Sequence, residues 1–272
     1  MINTSIKQAI STLVLICLLF QFPQESQAQI LNIERERLEK DTANTWITNG
    51  TVGLRIYNRS AAADDPVDMF GYNGAINTIY FSQNHTYAAI GQIDYLKIND
   101  NDFLNFGFLH FRSHMYYRNK SSWEIFTQVS YDNFRGLDPR VLVGTGLRQR
   151  LIDTDRSSMH LGLGVLFESE WWEHPELEET VDVQYLKSTN YLSFRHSINE
   201  IVDFNAIVYY QYGYDRDLSI SRNRTSGTIN LNTRLSRVFS FTNSFEFSYE
   251  DKPIVPITRY IFNFKTGLTI SL

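Results

Sequence analysis

The chain has 272 residues and a formal net charge of −5, with 43% hydrophobic, 14% aromatic and 20% charged residues. That length and balance exclude collagen-like, coiled-coil and disordered chains, and a pI of about 5.7 leaves no electrostatic footprint for DNA or RNA. The 19 Phe and 16 Tyr are the departure from ordinary composition, and aromatic residues favour pleated strands.

The N-terminus reads as an export signal. Lys7 supplies the positive region, residues 9–20 are apolar, and Ser26-Gln27-Ala28 places small residues at the cleavage positions, between Ala28 and Gln29. The apolar run is shorter than the roughly 20 residues of a spanning helix. Cleavage removes Lys7, Glu25 and the only cysteine, Cys17, so the mature chain keeps a charge of −5 and has neither a disulfide framework nor a thiol nucleophile. No later stretch is long and apolar enough for a transmembrane helix, which leaves the periplasm, the exterior, or an outer membrane crossed by strands. Residues 29–45 form a short polar segment preceding the main domain, 46–272.

From Trp46 onward hydrophobicity alternates with period two, and twelve strands are predicted: 46–58, 73–83, 86–97, 103–117, 123–132, 140–152, 158–170, 184–197, 203–214, 223–235, 239–249 and 258–272. In the last, Tyr260, Phe262, Phe264, Leu268, Ile270 and Leu272 share one face, opposite Arg259, Asn263, Lys265 and Gly267. Soluble strands are usually about five or six residues long, whereas tilted membrane strands need about nine to eleven. A count of ten strands stays open if residues 73–97 pair differently.

Loops after odd-numbered strands are mostly long or proline-bearing, and those after even-numbered strands are tight. Pro66, Pro139, Pro175, Pro253 and Pro256 are all assigned to odd loops. Long loops at one end and tight turns at the other are the outer-membrane barrel pattern. Trp46, Trp123, Trp171 and Trp172 fall at strand ends, where interfacial girdles form. The C-terminal Lys265-Thr266-Gly267-Leu268-Thr269-Ile270-Ser271-Leu272 fits the polar-x-Gly-x-x-hydrophobic-x-hydrophobic pattern of a barrel assembly signal, carried by Lys265, Gly267, Ile270 and Leu272.

The segments Leu31-Asn32-Ile33-Glu34, Asp41-Thr42, Val141-Leu142-Val143-Gly144-Thr145-Gly146-Leu147-Arg148 and Leu161-Gly162-Leu163-Gly164-Val165 resemble a family of salt-stress-induced outer-membrane proteins catalogued as a domain of unknown function. The resemblance covers nearly all of the mature chain. It implies a β-barrel in a Gram-negative outer membrane and brings no activity or catalytic residue.

If the apolar faces meet lipid, strand parity turns His110, Arg112 and His114 inward from one strand and Arg148, Arg150 and His160 from the hairpin around 153–157. Glu168 and Glu170 join them, with Arg195, Arg224, Arg234 and Glu246 further along. The first hairpin is predicted to pair Arg140 with Glu168, Arg148 with His160, Gly144 with Gly164 and Gly146 with Gly162. The hairpin at 236–238 pairs Arg224 with Glu250 and Thr228 with Glu246. Mixed charges fit either a constricted, solute-selecting pore or an electrostatic filling that stabilises a narrow barrel.

Gly144-x-Gly146 lacks the Lys-Ser/Thr ending of a phosphate loop and continues as a strand. Ser113 points away from His110 and His114 in an extended strand, so that trio cannot form a serine nucleophile and its base. The acidic stretch 168–182 has no EF-hand spacing and reads as a solvated loop. The expectation is a non-enzymatic twelve-stranded barrel without cofactor or metal. It meets outer-membrane lipids, lipopolysaccharide and the barrel-assembly machinery, and acts as a narrow channel or as a structural barrel in osmotic or envelope stress. The competing readings are a lipid- or lipopolysaccharide-modifying barrel enzyme and a soluble periplasmic barrel.

Overall fold

Period-two alternation, repeated along the chain, becomes a twelve-stranded antiparallel meander in which every strand pairs with its sequence neighbours. The structure is a computed structural model that describes residues 44–58, 67–99, 101–177, 179–216, 218–236 and 239–270. The proposed cleavage site at Ala28 and Gln29, the resembling segments at 31–34 and 41–42, and Leu272 lie outside the described residues.

The strands are β1 (Thr45–Asn58), β2 (Asp68–Phe81), β3 (His85–Ile98), β4 (Asn101–Met115), β5 (Ser121–Asp132), β6 (Leu137–Asp153), β7 (Ser157–Glu173), β8 (Thr180–Ser197), β9 (Val202–Asp215), β10 (Ile220–Arg234), β11 (Phe239–Glu250) and β12 (Tyr260–Ile270). They run from 11 residues in β12 to 18 in β8, all at or above the length a tilted strand needs to cross a bilayer. Residues 73–97 do not rearrange into fewer strands: β2 pairs with β3 from Met69↔Ile98 to Phe81↔Thr86.

The sheet is strongly curled. Tyr191 on β8 hydrogen-bonds Glu124 on β5, and Arg224 on β10 reaches Glu170 on β7. Three strand spacings amount to about 14 Å in a flat sheet, too far for such contacts, so one face wraps around an interior. The sheet is not closed: among the described residues no ladder joins β1 to β12.

The two faces are inverted relative to a soluble barrel. Val52, Leu54 and Ile56 on β1, Leu163, Val165 and Phe167 on β7, and Tyr260, Phe262 and Phe264 on β12 are all exposed. Such a continuous apolar surface far exceeds the isolated patches ordinary on soluble proteins. Buried positions, by contrast, are mostly polar or charged.

Three expectations are corrected. In the β6–β7 hairpin the register is Arg140↔Glu170, Gly146↔Gly164, Arg148↔Gly162 and Arg150↔His160, two residues from the predicted pairing. Irregularities at Leu137/Arg140 and Arg150/Ile152 interrupt this ladder. An even slip leaves every side chain on its predicted face and changes only its partner. The β10–β11 register, Arg224↔Glu250 and Thr228↔Glu246, is the predicted one.

Pro139 lies inside β6 rather than in a loop, at the Leu137/Arg140 irregularity where the ladder asks for no N–H. Strands that extend further at this end also shorten several odd loops, so the contrast in loop length is clearest at 59–67 and 251–259. Trp46 and Trp123 are exposed at strand ends, but Trp172 is buried against Leu137 and Val255. Consecutive strand residues face opposite sides, so Trp171 and Trp172 cannot both belong to an outer girdle.

Candidate functional site

The charged part of the interior is built by alternate residues of β4 to β11, and most of its charges fall into two groups. The first centres on Glu124. Its carboxylate lies 3.8 Å from both Arg112 and Arg148 and accepts a hydrogen bond from the Tyr191 hydroxyl at 2.8 Å. Arg148 donates in turn to the Tyr191 oxygen at 3.0 Å, and the Arg112 guanidinium sits over Phe126, 5.5 Å from the ring centroid. Two strand glycines make this possible. A Cβ on Gly162 would stand 2.0 Å from the Tyr191 ring, and one on Gly144 would stand 2.4 Å from Phe126.

The second group lies towards the long-loop end. Glu168 is fully buried and takes both Arg140 and Lys187, with Arg224 3.7 Å away. Glu170, also fully buried, lies 3.2 Å from Arg140 and 3.1 Å from Arg224, and accepts from Trp172 Nε1 at 3.0 Å. Arg224 reaches Glu250 at 3.2 Å. Arg140, Lys187 and Arg224 thus face Glu168, Glu170 and Glu250, and the formal charges match.

Closer to the rim, Arg222 bonds Asp215 at 3.2 Å and the Lys252 and Pro253 carbonyls, which ties the β11–β12 loop to β10. Tyr185 donates to Asp215 at 3.1 Å. Leu137, Trp172 and Val255 form a small apolar plug at this end.

Of the residues read as interior from strand parity, His110, Arg112, His114, Arg148, His160, Glu168 and Glu246 are buried. His110 Nδ1 lies 3.2 Å from Gln128 Oε1, and His114 Nε2 lies 2.5 Å from the Ser122 hydroxyl. Arg150 stands at the tight-turn rim, where it binds Asp153 at 2.6 Å and the Tyr117 and Arg118 carbonyls. Arg195 is half-buried, between Ser158 and Asn205 in the ladders.

Arg234 does not line the interior. It is exposed beyond the rim, with Nη1 3.4 Å from the Glu200 carbonyl, because its strand leaves the curled region before the parity argument takes effect. Lys265, Gly267 and Ile270 lie in β12, whose end carries the proposed assembly signal.

Glu124, Lys187, Asp215 and Arg222 were not singled out from the sequence. Glu124 and Lys187 share strand parity with Ser122 and Thr189, which would have turned them inward. Inward aromatics such as Tyr185 and Tyr191 mask that signal, since an aromatic in alternation reads equally as lipid-facing.

A cavity of about 1040 Å3, lined by residues of β3 to β12, extends from Arg112, Glu124 and Tyr191 of the first group to Arg140, Glu170, Arg224 and Glu250 of the second. Its walls combine Phe106, Phe108 and Leu142 with Arg112, Glu170 and Arg224, so apolar and charged side chains share the lining. The Ser122–His114 pair is buried and is not among the cavity-lining residues, and His114 Nδ1 has no hydrogen-bond partner among the described residues. A hydrolase needs its base oriented through that second nitrogen and its nucleophile open to substrate. Among the described residues, no group of three or more His, Cys, Asp or Glu is placed to hold a metal ion.

Long antiparallel strands in sequence order, an apolar outer belt and a charged interior define an all-β protein of the barrel class. The family described as "Protein of unknown function, DUF481" matches residues 68–259, and the chain belongs to it. No curated protein matches the chain. Among solved structures, the translocator domain of autotransporter NalP from Neisseria meningitidis is similar at 9% identity and a TM-score of 0.43, over 89% of this chain and 94% of that one.

Proposed function

We propose that this protein spans the outer membrane of a Gram-negative bacterium as a non-enzymatic barrel whose interior is braced by buried ion pairs. The observation that carries this reading is the balanced Arg140–Lys187–Arg224 and Glu168–Glu170–Glu250 network, held between β6, β7, β8, β10 and β11 under an apolar outer belt. Six charges locked to one another tie β6, β7, β8, β10 and β11 together on the inner face. Export by the N-terminal signal and insertion by the barrel-assembly machinery belong to the same proposal, and so does a role in osmotic or envelope stress.

A narrow channel is the second reading, favoured by the cavity that Arg112 and Glu124 help to line. Planar-bilayer conductance of the protein extracted from membranes separates the two, with heat-modifiable migration as the check on folding. A folded, electrically silent barrel is expected. Discrete ion-selective steps would overturn the braced barrel and make Arg112 and Arg148 the first residues to neutralise. A lipid-turnover assay on the same preparation tests the non-enzymatic part, and turnover lost on Ser122→Ala would sink it.

A further inference from the structure

The two ends of the interior differ in construction. Towards the tight turns, Ile79, Phe81 and Ile90 are fully buried, with Ile47, Phe108 and Tyr117 packed against them. All of these but Tyr117 stand on β1 to β4, so opening this end means moving ladder-paired backbone. Towards the long loops, the cavity reaches Leu137, Trp172 and residues 256–259 of the β11–β12 loop.

Val255, in the middle of that loop, is 2% exposed and packs with Leu137 on β6 and Trp172 on β7. β7 and β11 are four strands apart in the sheet, about 19 Å when flat. The loop therefore crosses the mouth of the interior instead of following its wall. We propose that the β11–β12 loop is a hinged lid, which swings out as a unit and opens the cavity at the long-loop end while the tight-turn end stays packed.

The way the loop is held suits that motion. The Glu250 N–H donates to the Arg259 carbonyl at 2.9 Å and closes the base, and the Ile257 N–H donates to the Val255 carbonyl at 2.8 Å within it. A compact loop with joined ends can move as one piece, and Pro253 and Pro256 stiffen this one by fixing φ. Its polar ties to the wall lie at its start, where Asp251 binds Asn223 and Arg222 binds the Lys252 and Pro253 carbonyls. Among the described residues, the tip is held by apolar contact alone, as Val255, Ile254 and Ile257 pack with Leu137, Trp172 and Val181. A segment anchored at one end and resting on non-directional contacts at the other is built as a hinge and flap. An interior that opens at one end is a vestibule, which is compatible with an electrically silent barrel. The lid is a matter of interior packing, whatever meets the outer belt.

The test times the entry of a reagent. Cys17 is the only cysteine, so in a Cys17→Ser background Ser226→Cys puts a single thiol on the cavity wall and Arg234→Cys puts one at an exposed rim site. The protein in lipid nanodiscs is treated with sulfonatoethyl methanethiosulfonate, a small anionic reagent, and modification is followed by mass spectrometry. With the native loop, modification at position 226 should be at least about tenfold slower than at position 234, because it waits on a local opening. Val255→Asp, which sets a charge among apolar side chains, should speed it by at least about tenfold, and Val255→Ser by less. Val255→Ile, which keeps the contact, and Phe81→Leu, at the packed end, should leave it within about twofold. Heat-modifiable migration checks folding in every variant.

Equal rates at positions 226 and 234 with the native loop would overturn the lid, since nothing would then be covered. So would a rate at 226 that Val255→Asp and Val255→Ser both leave unchanged, or one that Phe81→Leu raises as much as they do.

Discussion

Glu168 shows at the scale of one residue how an ion can be buried without water. Its carboxylate is fully buried and shared by Arg140 and Lys187, with Arg224 beside it. Removing one partner of such a set leaves an uncompensated buried charge and typically costs 3–5 kcal/mol. Glu168→Gln should therefore lower stability by about 3 kcal/mol in urea unfolding from lipid vesicles, and adding Lys187→Met should restore part of the loss. Arg234→Ala, at an exposed site past the rim, should change it by less than about 0.5 kcal/mol.

Asp251 gives a pH effect of definite sign outside the strands. Burial acts to raise its carboxyl, but hydrogen bonds donated by the Asn223 side-chain amide at 2.8 Å and backbone N–H at 2.7 Å outweigh burial and hold it below its ordinary 3.8. A lowered folded-state value means that the stabilising contribution is complete above 3.8 and is lost as pH falls through the folded value. Hydrogen exchange at the Asn223 amide should accelerate, relative to neighbouring β10 amides, only below that range. A relative acceleration between neutral pH and about pH 5 would contradict the assignment.

At the scale of elements, the β6–β7–β8 wall combines thin and thick positions. Gly162 leaves the space that the Tyr191 ring fills, and Tyr191 then ties Arg148 to Glu124. Gly162→Ala must displace that ring, so it should cost about 1–3 kcal/mol and release both tyrosine hydrogen bonds, read as a change in near-ultraviolet circular dichroism. On the opposite face of the same strand, Leu163 is 53% exposed. If it meets lipid, Leu163→Arg should cost about 2–4 kcal/mol in vesicles, whereas in a protein facing water the change would be near zero. That single comparison discriminates between the membrane barrel and the soluble periplasmic one.

Across the whole molecule, local pattern and tertiary arrangement determined different things. Strand number, strand length and the face of most side chains follow from alternation, because a pleated strand sends neighbours to opposite sides whatever it pairs with. His110, Arg112, Arg148 and Glu168 were legible as interior residues for that reason, and even a two-residue slip in the β6–β7 hairpin left them there. Parity is silent about where along its axis a strand leaves the curled region, and so Arg234 was misplaced. It is equally silent about which of two adjacent tryptophans turns inward.

Partnership between non-neighbouring strands was decided only by curvature. Glu124 with Tyr191, and Glu170 with Arg224, are far apart in sequence and three strands apart in the sheet. No pairing rule between neighbouring strands brings them together. The alternation of each strand by itself therefore determined an apolar outside and a charged inside. Bending the sheet around that inside decided which charges of non-neighbouring strands neutralise one another, and left a cavity that those charges help to line, because only a curled sheet brings non-neighbouring strands within the reach of a side chain.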